Sequence, residues 1–375
     1  MVLMNDKKLG FGLMRLPLTD PEDKKSVDIE QTCRMVDEFL ARGFTYFDTA
    51  WMYCKFESEN AIRKALVERH PRESYTLADK LHSAYLTCAE DRDRIFNEQK
   101  TKTGVDYFDY YLIHDVEVPH YEVYKKYDCF NWLRDKKAKG EVKQIGFSFH
   151  DSAEFLEQVL SEQPDMDFVQ LQINYLDWES EGVQSRKCYE VARAHGVDII
   201  VMEPVKGGKL ANVPPAVQGL FKSYDKALSV PSWAVRFAAS LDGVKMVLSG
   251  MSNMEQLLDN TGYMQNFKPL SDEEVALVHQ ATALINADAQ GAIACTGCAY
   301  CMDGCPQGIA IPHYFSLYNG ERQIDEQPHK SDKFAELTAK FGKPDDCIGC
   351  GACEGHCPQH LPIIEHLKTV AKYFE

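Results

Sequence analysis

Between residues 9 and 250, short apolar runs alternate with longer stretches whose apolar positions repeat at helical spacing. The runs fall at 9–14 (LGFGLM), 44–48 (FTYFD), 75–80 (YTLADK) and 109–114 (DYYLIH), then at 142–148, 168–173, 197–203 and 244–249. Near-continuous apolar runs of this length predict strands buried on both faces. Between them, 58–69, 131–140, 152–160 and 183–196 predict helices. Asp151-Ser152 is a start signal for one, and Gly140 and Gly196 close two others. Eight strand–helix units in about 270 residues predict a (β/α)8 TIM barrel. A doubly wound sheet is the alternative, but no G-x-G-x-x-G follows the first run.

Beyond the barrel, 270–287 reads as a capped helix, with Ser271 ahead of Asp272, Glu273 and Glu274. The pattern then changes. Eight of the 13 cysteines lie in two near-copies of one motif, Cys295-x-x-Cys298-x-x-Cys301-x-x-x-Cys305-Pro and Cys347-x-x-Cys350-x-x-Cys353-x-x-x-Cys357-Pro. This is the ligand spacing of two-cluster bacterial ferredoxins, in which the fourth cysteine reaches across to the other cluster. It assigns Cys295, Cys298, Cys301 and Cys357 to one 4Fe–4S cluster, and Cys347, Cys350, Cys353 and Cys305 to a second. Three thiols within seven residues are too crowded for one tetrahedral zinc ion. Between the two runs, 311–322 and 331–342 read as helices, so the module is expected to be mainly α-helical and ferredoxin-like. The expected division is 1–288 for the barrel and 289–375 for the cluster domain.

Charge and composition narrow the function. A formal charge of −16 argues against nucleic acid and anionic membrane surfaces as partners. No run approaches the length of a membrane span, and the N-terminal MVLMNDKKLG lacks a signal-peptide apolar region. A cytoplasmic location is therefore expected, where thiols stay reduced and available as ligands.

In a barrel of this kind chemistry sits at the C-terminal ends of the strands. Asp48 ends the second predicted strand, Tyr53 lies in the next loop, Lys80 ends the third strand and His114 the fourth. Four such residues on one rim form a catalytic constellation. The stretches GFTYFDTAWMY (43–53), ADKL (78–81) and YYLIHD (110–115) resemble the signatures of the aldo-keto reductase family. With the cysteine-rich tail, the chain resembles the iron–sulfur branch of that family. The resemblance covers about residues 9 to 285. It implies that Tyr53 donates a proton to a carbonyl oxygen, Lys80 and Asp48 stabilise its anion, and His114 polarises the carbonyl.

The same resemblance places cofactor contacts at Ser148, Gln172, Met202, Ser249, Gly250, Gln256 and Asn260. Several depart from the family pattern. Phe149 stands where an asparagine is usual, Met202 where a ring-stacking tyrosine is, and Gly250 and Gln256 where basic residues are. Loss of those basic residues weakens the case for a 2′-phosphate. A 4Fe–4S cluster moves single electrons and a nicotinamide a hydride; a flavin can do both, so FMN is the expectation for the barrel, with a loosely bound NAD(P)H as the alternative. Gly207-Gly208 and Ser249-Gly250 are the candidate phosphate contacts. Arg15, after the first strand, is either an anion contact or an outward ion pair. Cys33, Cys54, Cys88, Cys129 and Cys188 lack ligand spacing and read mostly as core residues.

The expectation is an oxidoreductase acting on a carbonyl-type small-molecule substrate, its clusters relaying electrons from a ferredoxin- or flavodoxin-type carrier. An electron-transfer subunit with the barrel as scaffold, and a reductase with structural or sensing clusters, are the rival readings.

Overall fold

A computed structural model describes residues 7–288, 291–322 and 331–374. The first residues of the N-terminal stretch, and position 289 of the expected domain boundary, lie outside the described residues.

Eight parallel strands close a barrel in sequence order: β1 (Leu9–Gly12), β2 (Tyr46–Asp48), β3 (Thr76–His82), β4 (Phe108–Val116), β5 (Val142–Phe149), β6 (Phe168–Gln172), β7 (Asp198–Met202) and β8 (Val244–Gly250). The closed order excludes a doubly wound sheet. Each strand overlaps an apolar run, because strands covered on both faces need apolar side chains on both. Inside the barrel, Tyr46, Ala78, Leu112, Phe168, Ile200 and Leu248 pack as one buried cluster, with Tyr110 and Met246 against it. Strand alternation puts every second residue on this inner face, so Asp48, Lys80, His114, Ser148 and Gln172 follow inward at the C-terminal ends.

The helix signals act locally. Ser152 accepts the Phe155 N–H at 3.3 Å and caps Ala153–Glu162. Gly140 and Gly196 take left-handed φ values of 75° and 71° where their helices stop. Ser271 and Glu274 exchange backbone bonds of 3.3 and 2.9 Å in a capping box. The expected helix at 58–69 is α only over Ser58–Ile62 and widens into a π turn at Arg63–Val67.

Contacts group the chain into two compact units: 1–205 with 218–280, and 206–217 with 281–375. The segment after β7 therefore belongs to the second unit, and the division falls inside the helix Asp272–Asp288. The second unit is built from the helices Tyr300–Asp303, Ile311–Arg322, Asp332–Lys340, Ala352–Gly355 and Ile363–Phe374. Ile309, Ile311, Tyr314, Phe315, Leu367 and Val370 are among the buried side chains of its core.

Gly146 in β5 has a structural reason to be glycine. A Cβ there would lie 2.3 Å from the Phe168 carbonyl oxygen across the β5–β6 pair. Gly146→Ala is expected to lower stability by about 1–3 kcal/mol, read as a shift in the denaturant midpoint.

Candidate active site

Lys80 is fully buried, and its Nζ donates to Asp48 Oδ1 at 2.5 Å and to the Thr49 carbonyl at 2.7 Å. The Gln170 amide reaches the other Asp48 oxygen at 3.4 Å. The Tyr53 ring lies over this ammonium, 5.0 Å from Nζ to centroid, and meets His114 edge-on at 6.0 Å. All four residues expected on one rim are thus together, brought in from β2, the loop after it, β3 and β4.

The loop holding Tyr53 is strained. Cys54, Lys55 and Phe56 follow it with left-handed φ values of 51°, 53° and 73°, sparsely populated for residues bearing a Cβ. Surrounding contacts hold it: the Lys102 ammonium donates to the Phe56 carbonyl at 3.1 Å, and the Phe56 ring sits edge-on to Trp51 at 5.1 Å. The Cys54 thiol lies against the Leu13 and Met14 carbonyls, and burial pushes it up to about 11. That thiol is held as a core donor, not activated as a nucleophile.

Burial and the surrounding carboxylates Asp48, Glu203, Asp79 and Asp115 push the Tyr53 phenol well above its ordinary value, so it holds its proton. Burial, together with His82 and Lys80, pushes His114 well below the ordinary imidazole value. Asp48 is raised by burial, against the opposing pull of Lys80. Glu203 and a ring of histidines, His82, His120 and His150, went unread in the sequence. Their signal was position: His82 ends β3, while Glu203 and His150 directly follow β7 and β5.

The cofactor residues divide. Ser148 Oγ accepts the Asp115 N–H at 2.7 Å, and the Gln172 amide donates to Asp177 at 2.9 Å. Asn260 donates to Ser249 Oγ at 2.8 Å, and Gln256 accepts the Ser252 N–H at 2.7 Å. Met202 is half-buried at the end of β7. Gly207 lies in the second unit, where a Cβ would meet the Thr296 carbonyl oxygen at 2.3 Å; its space is taken by backbone. Gly250 lies beside Arg15, the nearest side-chain atom 3.3 Å from its would-be Cβ. One Arg15 guanidinium nitrogen is buried without a hydrogen-bond partner among the described residues, a donor suited to an anion.

In the second unit the cysteines line two small cavities. Cys295, Cys298, Cys301 and Cys357 line the first. Cys347, Cys350, Cys353 and Cys305 line the second. The two loops share a backbone path: Gly297 and Gly349, then Ala299 and Gly351, are left-handed before the short helices that carry Cys301 and Cys353. Gly308 and His360 repeat it after the prolines. Burial and crowding by the neighbouring thiols raise Cys301, and burial and Glu354 push Cys353 up to about 11. Four thiols converging on each small cavity fit a cation cluster that displaces their protons on binding. The segment following β7 meets both cysteine runs, with Lys209 Nζ 3.4 Å from the Ile293 carbonyl ahead of the first and Lys206 Nζ 3.4 Å from Gln359 just after the second. Of the remaining cysteines, Cys54, Cys129 and Cys188 are buried, whereas Cys88 is exposed.

Removing Lys80 would strand a buried carboxylate. Lys80→Met is expected to cost about 3–5 kcal/mol at neutral pH. Asp48 is already raised in the folded state, so the deficit should shrink as pH falls and the carboxyl protonates, and grow as pH rises. Unfolding midpoints across pH check both the size and the sign.

Comparison with known proteins agrees with this geometry. A profile described as the aldo/keto reductase family matches residues 8–283, and one described as a 4Fe–4S dicluster domain matches 294–361. No curated protein matches significantly. Among solved structures, an aldo-keto reductase of Bacillus halodurans in its holo form is 22% identical, covering 73% of this chain and 91% of its own, with a TM-score of 0.57. An aldo-keto reductase of Klebsiella pneumoniae in complex with NADPH is 18% identical over 74% and 90%, with a TM-score of 0.57. An aldo/keto reductase of Brucella melitensis is 20% identical over 73% and 92%, at 0.57. No helix among the described residues is long and apolar enough to cross a membrane. With a matching profile over most of its length, a closed eight-stranded barrel and a 4Fe–4S dicluster domain behind it, the chain is an oxidoreductase that belongs to the aldo/keto reductase family.

Proposed function

We propose that the enzyme reduces a carbonyl-type small molecule at Tyr53 and His114, using electrons delivered through two 4Fe–4S clusters from a ferredoxin- or flavodoxin-type carrier in the cytoplasm. The observation that carries this reading is the fully buried Lys80 ammonium, clamped by Asp48 and Thr49 beneath the Tyr53 ring. A buried cation under a phenol is poorly explained as packing, because desolvating the ammonium is costly.

As the substrate oxygen gains negative charge, Tyr53 gives up its phenolic proton. The forming alkoxide is a far stronger base than a phenolate, so even a phenol raised by burial transfers it downhill. Lys80 then balances the charge left on the Tyr53 oxygen, and Asp48 keeps that ammonium in place. His114 hydrogen-bonds the same substrate oxygen and fixes its position. The clusters, when bound, would supply single electrons, and a flavin in the barrel would collect two of them and supply the hydride; a nicotinamide there would bring its own hydride, independent of the clusters. Arg15 and the backbone at Gly250 would hold the phosphate of either cofactor. Ser148 and Gln172 would need to exchange their internal partners to reach its ring.

Tyr53→Phe is expected to lower carbonyl reduction by about 10²- to 10⁴-fold while reduction of the clusters by dithionite is unchanged. Unchanged turnover would overturn the assignment of Tyr53. Separately, Cys357→Ser should remove the ferredoxin-driven reaction. If a chemically reduced barrel cofactor still supports full turnover in that variant, the relay is needed for electron supply and not for chemistry. Full ferredoxin-driven turnover without an intact first cluster would overturn the relay.

A further inference from the structure

Beside the reductase residues, a second group of side chains gathers at the ends of β3 and β4. Consecutive strand residues normally point to opposite faces. The β4–β5 register shifts between Ile113 and Val116, and this irregularity turns both His114 and Asp115 toward His82. Asp115 is held there with a left-handed φ of 57°, its N–H donating to Ser148 Oγ at 2.7 Å. Strain of this kind persists only where the surroundings over-determine it, and it concentrates at ligand sites.

Asp115 Oδ2 lies 3.5 Å from His82 Nε2 and 3.5 Å from His120 Nδ1. One ligand atom from each of these three residues lies within 4.8 Å of the others. The spacing is informative. A charge-assisted hydrogen bond would draw imidazole and carboxylate to about 2.7–2.9 Å. Two ligands on one tetrahedral ion, each about 2.0–2.1 Å away, are instead held about 3.3–3.4 Å apart. The side chains are only 10%, 27% and 18% exposed for His82, Asp115 and His120, so this is no solvated acidic patch. Further donors surround them. His114 Nδ1 is buried without a hydrogen-bond partner among the described residues, and its ring lies 5.2 Å from that of His82. His150 Nε2 is 3.9 Å from Asp115 Oδ1, and Glu117 Oε1 is 3.5 Å from His120 Nδ1.

We propose that His82, Asp115 and His120 form a binding site for one divalent transition-metal ion, with two imidazole ligands, one carboxylate ligand and open positions for an oxygen ligand. Two imidazoles with one carboxylate suit zinc or ferrous iron more than the hard, all-oxygen cations. His82 is the weakest of the three donors. Its Nδ1 accepts the Ala84 N–H at 3.1 Å, which leaves the ring proton on Nε2; binding the ion through Nε2 requires the other tautomer, with the proton moved to Nδ1 and the Ala84 bond given up. The His120 Nδ1 lies 2.8 Å from the Asp115 carbonyl oxygen; on binding, that ring releases the carbonyl and carries its proton on Nε2. The site stands on these residues alone and does not depend on the reductase reading. An ion there would sit beside His114 and offer a Lewis-acidic position to an oxygen-bearing substrate.

The test uses cluster-loaded, full-length protein in a Cys88→Ser background, which removes the exposed thiol outside the cysteine runs. After brief chelator treatment the protein is equilibrated anaerobically with Zn²⁺, freed of unbound ion by gel filtration, and its zinc and iron measured by mass spectrometry. One zinc per chain is expected, with affinity at least about tenfold weaker in Asp115→Asn and in His120→Ala, and a zinc-dependent rise in unfolding temperature only in the parent. Cluster iron in the same samples reports which variants are loaded. His120→Ala carries the test if Asp115→Asn is not. Absence of stoichiometric zinc in the parent, or its undiminished retention by a loaded variant, would overturn the site.

Discussion

A positive charge buried inside a barrel must be paired, and the Lys80–Asp48 contact is the constraint around which this candidate active site is arranged. The ammonium has no exposed surface, so the acid of β2 and the Thr49 carbonyl must come to it. Pairing across β2 and β3 fixes where the following loop begins, and that loop carries Tyr53 over the cation despite three left-handed residues in succession. The energy stored in the loop is offset by the packing of Phe56 and Trp51 and by Lys102. Charge pairing, loop strain and the placement of the Tyr53 phenol are therefore one unit. Its cost makes sense only if the phenol must sit above a cation.

The second unit solves a different problem with the same economy. Its helices bury an apolar core, and four cysteines line each of the two cavities. The repeated left-handed positions let each loop curl so that three cysteines converge, and the crossed fourth cysteine ties each loop to the other. The segment following β7 belongs to this unit and packs Gly207 against the Thr296 backbone.

Much of this was legible along the chain, and the reasons are local. Strands covered on both faces need unbroken apolar runs, so all eight could be read, and caps such as Ser152 and Ser271 announced their helices. The cysteine repeat was readable because a cubane demands ligands at a set spacing, and the pairing of Cys357 with the first run and Cys305 with the second follows from it. Asp48, Lys80 and His114 could be placed on one rim because strand ends in a barrel share a face. What stayed hidden involved partners distant in sequence. Gly207 read as a turn glycine beside a phosphate, whereas its neighbour is the carbonyl of Thr296; Arg15 offered no sign of whether it faced the rim or the solvent.

The amino-acid order alone therefore determined the barrel, the cysteine module and the identity of the rim residues, because periodicity, ligand spacing and strand ends are properties of contiguous chain. Only the tertiary structure decided the state of the Tyr53 proton, the internal bonds that occupy Ser148 and Gln172, and the gathering of His82, Asp115 and His120. Those depend on distances between separate strands and on how fully each group is removed from water, and neither quantity is carried by position along the chain.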